Sequence, residues 1–186
     1  MKKMVPVLLA FALLATVPAA ASTFLAMSQA ELVAQSDAVV VGEVLQVQSF
    51  RDESGSFVIT EAMVQVDETF TGSADSVVVV RTAGGTVDGY TVMAHGFPQF
   101  EAGERVVLFL SDDGAEASKV VGYRLGQYRV VTNSRGVEVA LPTLEPGIQL
   151  LTETGIPAPR PQALTLDTLR DQVRSHSVRL DGLLEQ

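Results

Sequence analysis

The clearest pattern in the chain is the alternation of side chains between positions 58 and 67. Apolar or small residues recur at every second position: Val58, Thr60, Ala62, Val64 and Val66. Between them lie the polar residues Glu61, Gln65 and Asp67. Successive side chains of a β-strand point to opposite faces, so this segment predicts a strand with one buried face.

Further short apolar stretches, separated by turn-forming residues, predict more strands. These stretches cover residues 38–47, 76–81, 105–110, 119–124, 128–131 and 137–139. The 105–110 strand is apolar almost throughout, which indicates that both of its faces are covered. Gly42 interrupts the first of these strands at a point where a bulge can form. Several short strands with turns between them favour a closed antiparallel barrel or a sandwich.

A helix is predicted on each side of the strands. Ser28 and Glu31 have the spacing of a capping box, which starts a short helix that ends near Ser36. Later in the chain, Thr165 can cap a second helix. The apolar residues of this second helix fall on one face: Leu166, Leu169, Val173 and Leu180. Such a narrow stripe favours packing against the barrel over binding a partner.

Two long segments lack a regular pattern. The first begins at Gly84-Gly85 and ends at Phe100, and we expect an irregular loop there. The second covers residues 142–164 and contains five of the eight prolines. Because proline cannot donate a backbone hydrogen bond, this segment predicts an extended strap without regular structure.

The first 21 residues have the features of a secretory signal peptide. Lys2 and Lys3 form a positive start, an apolar run covers residues 4–14, and Ala19-Ala20-Ala21 supplies small residues for cleavage. A membrane-spanning helix needs roughly twenty apolar residues, so a retained anchor is disfavoured. We expect cleavage near Ala21/Ser22 and a periplasmic or extracellular location.

Charge and cysteine content exclude several classes of function. The formal net charge is −9 over the whole sequence, and −11 without Lys2 and Lys3. An acidic chain is unsuited to nucleic acid or to an anionic membrane surface, and no second apolar run predicts a membrane span. The chain has no cysteine, which excludes thiolate metal sites, a cysteine nucleophile and a lipid-modified cysteine.

Little in the sequence indicates catalysis. His95 and His176 are the two imidazoles, and neither has a second ligand at metal-binding spacing, so we predict no metal site. No G-x-S-x-G motif is present. No helix is predicted after Gly84-Gly85, so a phosphate cradle is not expected. We therefore predict no catalytic residues and no cofactor. Because triad members can lie far apart in sequence, a hydrolase around His95 stays an alternative.

The segment 84–100 is the best candidate for binding, since loops on rigid β scaffolds often carry function. Its aromatic residues Tyr90, Phe97 and Phe100 are predicted to contact a partner. An equally open interpretation is that Phe97 and Phe100 plug one end of the barrel.

Three stretches carry a resemblance to a known family. They are SDAVVVGEV at 36–44, VQVDETFTG at 64–72 and GERVVLFL at 103–110. In this order they resemble the netrin-like/TIMP-like branch of OB folds and similar bacterial secreted proteins, over residues 30–132. The resemblance implies a five-stranded barrel with flanking helices and a role in binding proteins. The metalloprotease inhibitors of that family chelate zinc through an N-terminal cysteine. This chain has no cysteine, so that mechanism and its residues are not implied.

Together these features predict a mainly β protein, an OB-like antiparallel barrel with a short N-terminal helix and a C-terminal helix. We expect a signal peptide at 1–21, the barrel at 22–141, a Pro-rich strap at 142–164 and the packed helix at 165–182. The favoured function is non-catalytic binding of a protein or envelope component, with the oligomeric state open. The alternatives are an extracytoplasmic hydrolase and a structural module without a dedicated ligand.

Overall fold

A computed structural model describes residues 22–114 and 116–184, and the predicted signal peptide lies outside them. These residues contain twelve strands: β1 Thr23–Leu25, β2 Ala38–Arg51, β3 Val58–Gly72, β4 Val77–Ala83, β5 Gly85–Val87, β6 Tyr90–Val92, β7 Arg105–Asp112, β8 Ser118–Val120, β9 Gln127–Thr132, β10 Glu138–Pro142, β11 Gln149–Leu151 and β12 Leu164–Thr165. They also contain helices α1 Gln29–Ala34 and α2 Leu166–Leu184 and a 3₁₀-helix, Tyr123–Gly126. The protein is mainly β, as predicted.

Five strands close into a barrel. β2 pairs antiparallel with β3 and with β7, and β3 pairs antiparallel with β4. β8 completes the ring through a parallel bridge to β4, Val80↔Ser118, and antiparallel pairing with β7. The order β7–β2–β3–β4 is that of a Greek key, in which the fourth strand returns beside the first. β9, β10 and β12 extend the sheet outward from β7.

The alternating strands divide the apolar residues between two cores. One core fills the barrel and contains the inward residues of the five strands: Ala38, Val40, Val44, Ala62, Val64, Val80, Val106, Leu108, Leu110 and Val120. Val39, Val41 and Phe109 point the other way and lie under the helices in an outer core. Residues 106–110 are all buried, because β7 lies between the two cores. The prediction that this strand is covered on both faces is confirmed.

A bulge bends the long β2 strand within the barrel. The pairing register between β2 and β3 shifts between Val41 and Gly42, as the glycine predicted. A Cβ atom at Gly42 would lie 2.1 Å from the carbonyl oxygen of Gln65. A side chain therefore has no space there, and β3 can pass close behind the bend.

The two helices cover the outer core. In the α1 capping box, the Ser28 hydroxyl accepts from the Glu31 N–H at 3.3 Å, and the Glu31 carboxylate accepts from the Ser28 N–H at 2.6 Å. The bond from the Ser28 hydroxyl is the main cause of a lowered pKa at Glu31. α2 buries Leu166, Leu169 and Val173 against the outer core. Among the described residues no helix is long and apolar enough to cross a bilayer.

Charged side chains fix α2 to the barrel strand β3. Glu68 of β3 lies 3.0 Å from Arg170 and 2.9 Å from Arg174. The Arg170 guanidinium also lies over the ring of Phe70, 5.3 Å from its centroid. The apolar stripe of the helix is thereby held in one register along the strand.

The strand predicted at 119–124 and the strap predicted without regular structure at 142–164 both differ from the structure. The 119–124 strand ends at Val120, because Gly122 and Tyr123 have φ of 65° and 57° and turn the chain into the 3₁₀-helix. The 142–164 strap contains β11, which pairs in parallel with β1. The residues between Pro146 and Pro157 keep their N–H groups, so this part of the strap can join a sheet.

Candidate functional site

The first half of the 84–100 segment is a β-hairpin and not an irregular loop. β5 and β6 pair antiparallel around Asp88-Gly89. Asp88 and Gly89 have φ of 53° and 78°, and left-handed φ at both central residues is what a type I′ hairpin turn requires. The dipeptide Asp-Gly is typical of this turn, and it is the signal that the expectation of an irregular loop overlooked.

The base of the hairpin is fixed to the barrel wall. The Thr60 hydroxyl donates to the carbonyl oxygen of Gly84 at 2.6 Å, and it lies 2.8 Å from the Ser49 hydroxyl. A Cβ atom at Gly85 would lie 2.3 Å from both of these hydroxyl oxygens. The glycine pair therefore allows the hairpin to lie directly against β2 and β3.

The second strand of the hairpin, β6, and the residue that follows it carry exposed apolar side chains. Tyr90 is 72% exposed, Met93 60% and Val92 47%. We call these three residues the hairpin surface. Single exposed apolar residues are common on soluble proteins, but three within the four positions 90–93 mark a candidate contact surface.

The second half of the segment is held by its backbone. All four carbonyl groups of residues 96–99 accept a hydrogen bond. The donors are the Arg124 N–H to Gly96 at 3.1 Å, the Arg124 Nε–H to Phe97 at 2.9 Å, the Thr82 hydroxyl to Pro98 at 3.1 Å and the Gln127 amide to Gln99 at 2.6 Å. Buried polar groups need such partners, so this stretch is fixed without any regular structure of its own.

Arg124 is the centre of these contacts and is only 8% exposed. Its Nη1 donates to the Thr143 carbonyl oxygen at 2.9 Å, and its Nη2 lies 3.3 Å from Glu145. Burial lowers the pKa of the Arg124 guanidinium, and the Glu145 carboxylate opposes this change. One side chain thus joins the 84–100 segment to the start of the strap.

The structure does not bring the three predicted contact residues together. Tyr90 lies on the hairpin surface, whereas Phe100 is 8% exposed and packs inside the barrel. Phe97 is half-buried, with its ring edge-to-face against Tyr123 at a centroid distance of 4.8 Å. Phe100 therefore occupies the position of a barrel plug, and only Tyr90 is fully available to a partner.

A cavity of about 660 Å³ opens beside Phe97, at the seam between β4 and β8. Its lining includes Arg81, Phe97, Pro98, Lys119 and Tyr123. The sequence analysis did not select Arg81, Lys119 or Tyr123. Tyr123 has a left-handed φ of 57°, which for a bulky residue costs on the order of 1 kcal/mol or more.

His95 has one polar contact that could orient its ring. Its Nδ1 lies 3.5 Å from Glu145, and its side chain is 63% exposed. Among residues 22–114 and 116–184, the polar contact of the His95 side chain is this carboxylate and not a hydroxyl group, and no cluster of three metal-ligating side chains is found. His176 lies on α2, far along the chain from this contact.

No protein family, curated protein or solved structure matches the chain.

Proposed function

We propose that this is a secreted or periplasmic, non-catalytic protein that binds a protein or envelope component through the hairpin surface. The observation that carries the proposal is the exposure of Tyr90, Val92 and Met93 on a hairpin whose base is fixed. A fixed base limits the conformational entropy that binding would remove, which favours affinity. The secreted location rests on the features of residues 1–21.

The partner we favour is a protein that offers an extended apolar segment. Among the described strands, β5 and β6 pair only with each other, and β5 lies against β2 and β3, which leaves the edge of β6 for an added strand. An added strand can bond to such an edge through its backbone, while alternate side chains contact neighbouring apolar residues. Tyrosine is well suited as the central contact, because it combines a large apolar ring with a hydroxyl group.

We further propose that the barrel is OB-like and related in structure to netrin-like/TIMP-like domains. Support comes from the strand order: a Greek key of β7, β2, β3 and β4 is closed by the short β8. A five-stranded Greek-key barrel is the OB arrangement. The flanking helices α1 and α2 agree with the implied additions to that barrel.

The test is affinity capture from envelope and culture-supernatant extracts, with the purified protein as bait. The hairpin variant carries Tyr90→Ser, Val92→Ser and Met93→Ser, and leaves the core residue Phe100 intact. A matched control replaces three exposed apolar residues elsewhere, Val137, Ile156 and Val178, by serine. Circular dichroism and thermal unfolding verify that both variants fold.

The proposal expects a saturable partner that is retained by the wild type and by the control but lost with the hairpin variant. Capture that survives in the hairpin variant would place the contact elsewhere. Absence of any partner enriched over bare resin would refute binding under these conditions.

A further inference from the structure

We propose that the cavity at the β4–β8 seam binds a small organic anion with a flat apolar body, such as an aromatic carboxylate. The cavity has a structural origin in the barrel. β4 and β8 are joined by the single bridge Val80↔Ser118, and beyond it Arg81–Ala83 and Lys119–Val121 form opposite walls of the cavity. Its volume of about 660 Å³ is typical of small-molecule sites.

The apolar part of the site is built from aromatic rings that are already in place. Phe97 packs edge-to-face on Tyr123 at a centroid distance of 4.8 Å, and Phe24 also packs edge-to-face on Tyr123 at 6.1 Å. The carbonyl oxygen of Phe97 is held by Arg124. Tyr123 is still 47% exposed, so one ring remains open to a flat ligand. Rings fixed before binding lose little entropy on contact.

The charged part of the site favours an anion. The charged residues of the lining are Arg81, Lys119 and Asp113. Arg81 is already paired with Glu61 at 2.7 Å and with Asp113 at 2.9 Å. Among residues 22–114 and 116–184, no salt bridge involves Lys119. Its ammonium group is therefore available to a carboxylate.

This site differs from the proposed partner surface. Tyr90, Val92 and Met93 are absent from the residues that line the cavity. The anion site and the hairpin surface share the 84–100 segment but no side chain, so the two proposals can fail separately.

The test uses three probes of one shape on the purified protein: 2-naphthoate, 2-naphthalenemethanol and 2-naphthylmethylamine, titrated by calorimetry or by NMR shifts. We expect saturable binding of one naphthoate per protein. The neutral alcohol should bind at least about tenfold more weakly than naphthoate, and the amine more weakly still. Equal binding of all three probes, or no saturation with naphthoate up to its solubility limit, would overturn the proposal.

Variants locate the binding. Lys119→Gln should weaken naphthoate about tenfold and leave the alcohol unchanged, whereas Lys119→Arg should retain naphthoate binding. Tyr123→Asn should weaken both probes; asparagine tolerates the left-handed backbone, and thermal unfolding verifies that the variant folds. Tyr90→Ser is the matched control and should change neither. Naphthoate binding that is unaffected by both Lys119→Gln and Tyr123→Asn would refute this site.

Discussion

The two halves of the 84–100 segment satisfy their backbone hydrogen-bonding groups in different ways. The first half satisfies its backbone within a hairpin and leaves Tyr90 and Met93 in solvent. The second half has no regular structure, yet its carbonyl groups are bonded by Thr82, Arg124 and Gln127, and it buries Phe100. Because the hairpin strands hydrogen-bond to each other, the side chains of the hairpin remain available for contact with a partner. The second half is instead bonded by side chains of other elements, and it contributes to the stability of the fold.

The largest effect is expected from Phe100→Ala. Removal of this ring from the barrel interior should lower the free energy of unfolding by about 3–5 kcal/mol, through lost burial and the cavity left behind. Urea unfolding followed by circular dichroism measures it. Phe57→Ala is the matched control, since Phe57 is 69% exposed and should cost little. Similar losses in both variants would contradict the assignment of Phe100 to the core.

Arg124→Leu should follow, with a loss of about 3 kcal/mol, because the carbonyl groups of Phe97 and Thr143 and the carboxylate of Glu145 lose a buried donor. The control is Arg129→Leu, whose side chain is 54% exposed and pairs with Glu104. That change should cost less than about 1 kcal/mol. Equal costs would show that burial of Arg124 does not matter.

Gly85→Ala should destabilise the fold by about 1–3 kcal/mol, since its Cβ atom would collide with the hydroxyls of Ser49 and Thr60 and its φ is 133°. Gly55→Ala separates the two causes. Gly55 also has a positive φ, 69°, but open space around it. If both variants lose the same stability, the close approach of the hairpin base contributes nothing.

Tyr90→Ser should change stability by less than about 0.5 kcal/mol, because the ring is 72% exposed, while it weakens partner capture. A large loss of stability from this single change would mean that the ring is part of the packed fold. Unfolding and capture are measured on the same preparation.

His95→Ala should have the smallest effect, with stability and capture both unchanged, since this side chain is mostly exposed and has one polar contact, to Glu145. The variant also tests the hydrolase alternative. Loss of a hydrolytic activity in His95→Ala, in a screen of ester and amide substrates, would replace binding by catalysis as the function of this region.

The strands were predictable from sequence because alternation is a local signal, as β3 shows over Val58 to Val64. The closure of the barrel was not, since β8 has only three residues and one bridge to β4. The residues that hydrogen-bond to the second half of the 84–100 segment were not predicted for a similar reason. Arg124 and Gln127 donate hydrogen bonds to residues about thirty positions earlier in the chain. The spacing of apolar and polar residues carries no information about such distant contacts.

The pairing of β1 with β11 has a consequence for the order of folding. Thr23 lies beside Gln149, so most of the described chain separates the two partners. Contacts between such distant residues form late, because a long loop must close first. We expect amide protection at β1 to appear after that of the β2–β3 hairpin in pulsed hydrogen exchange. The first strand to be synthesised is then among the last to pair. In the newly synthesised chain, β1 remains unpaired until β11 of the strap has been made.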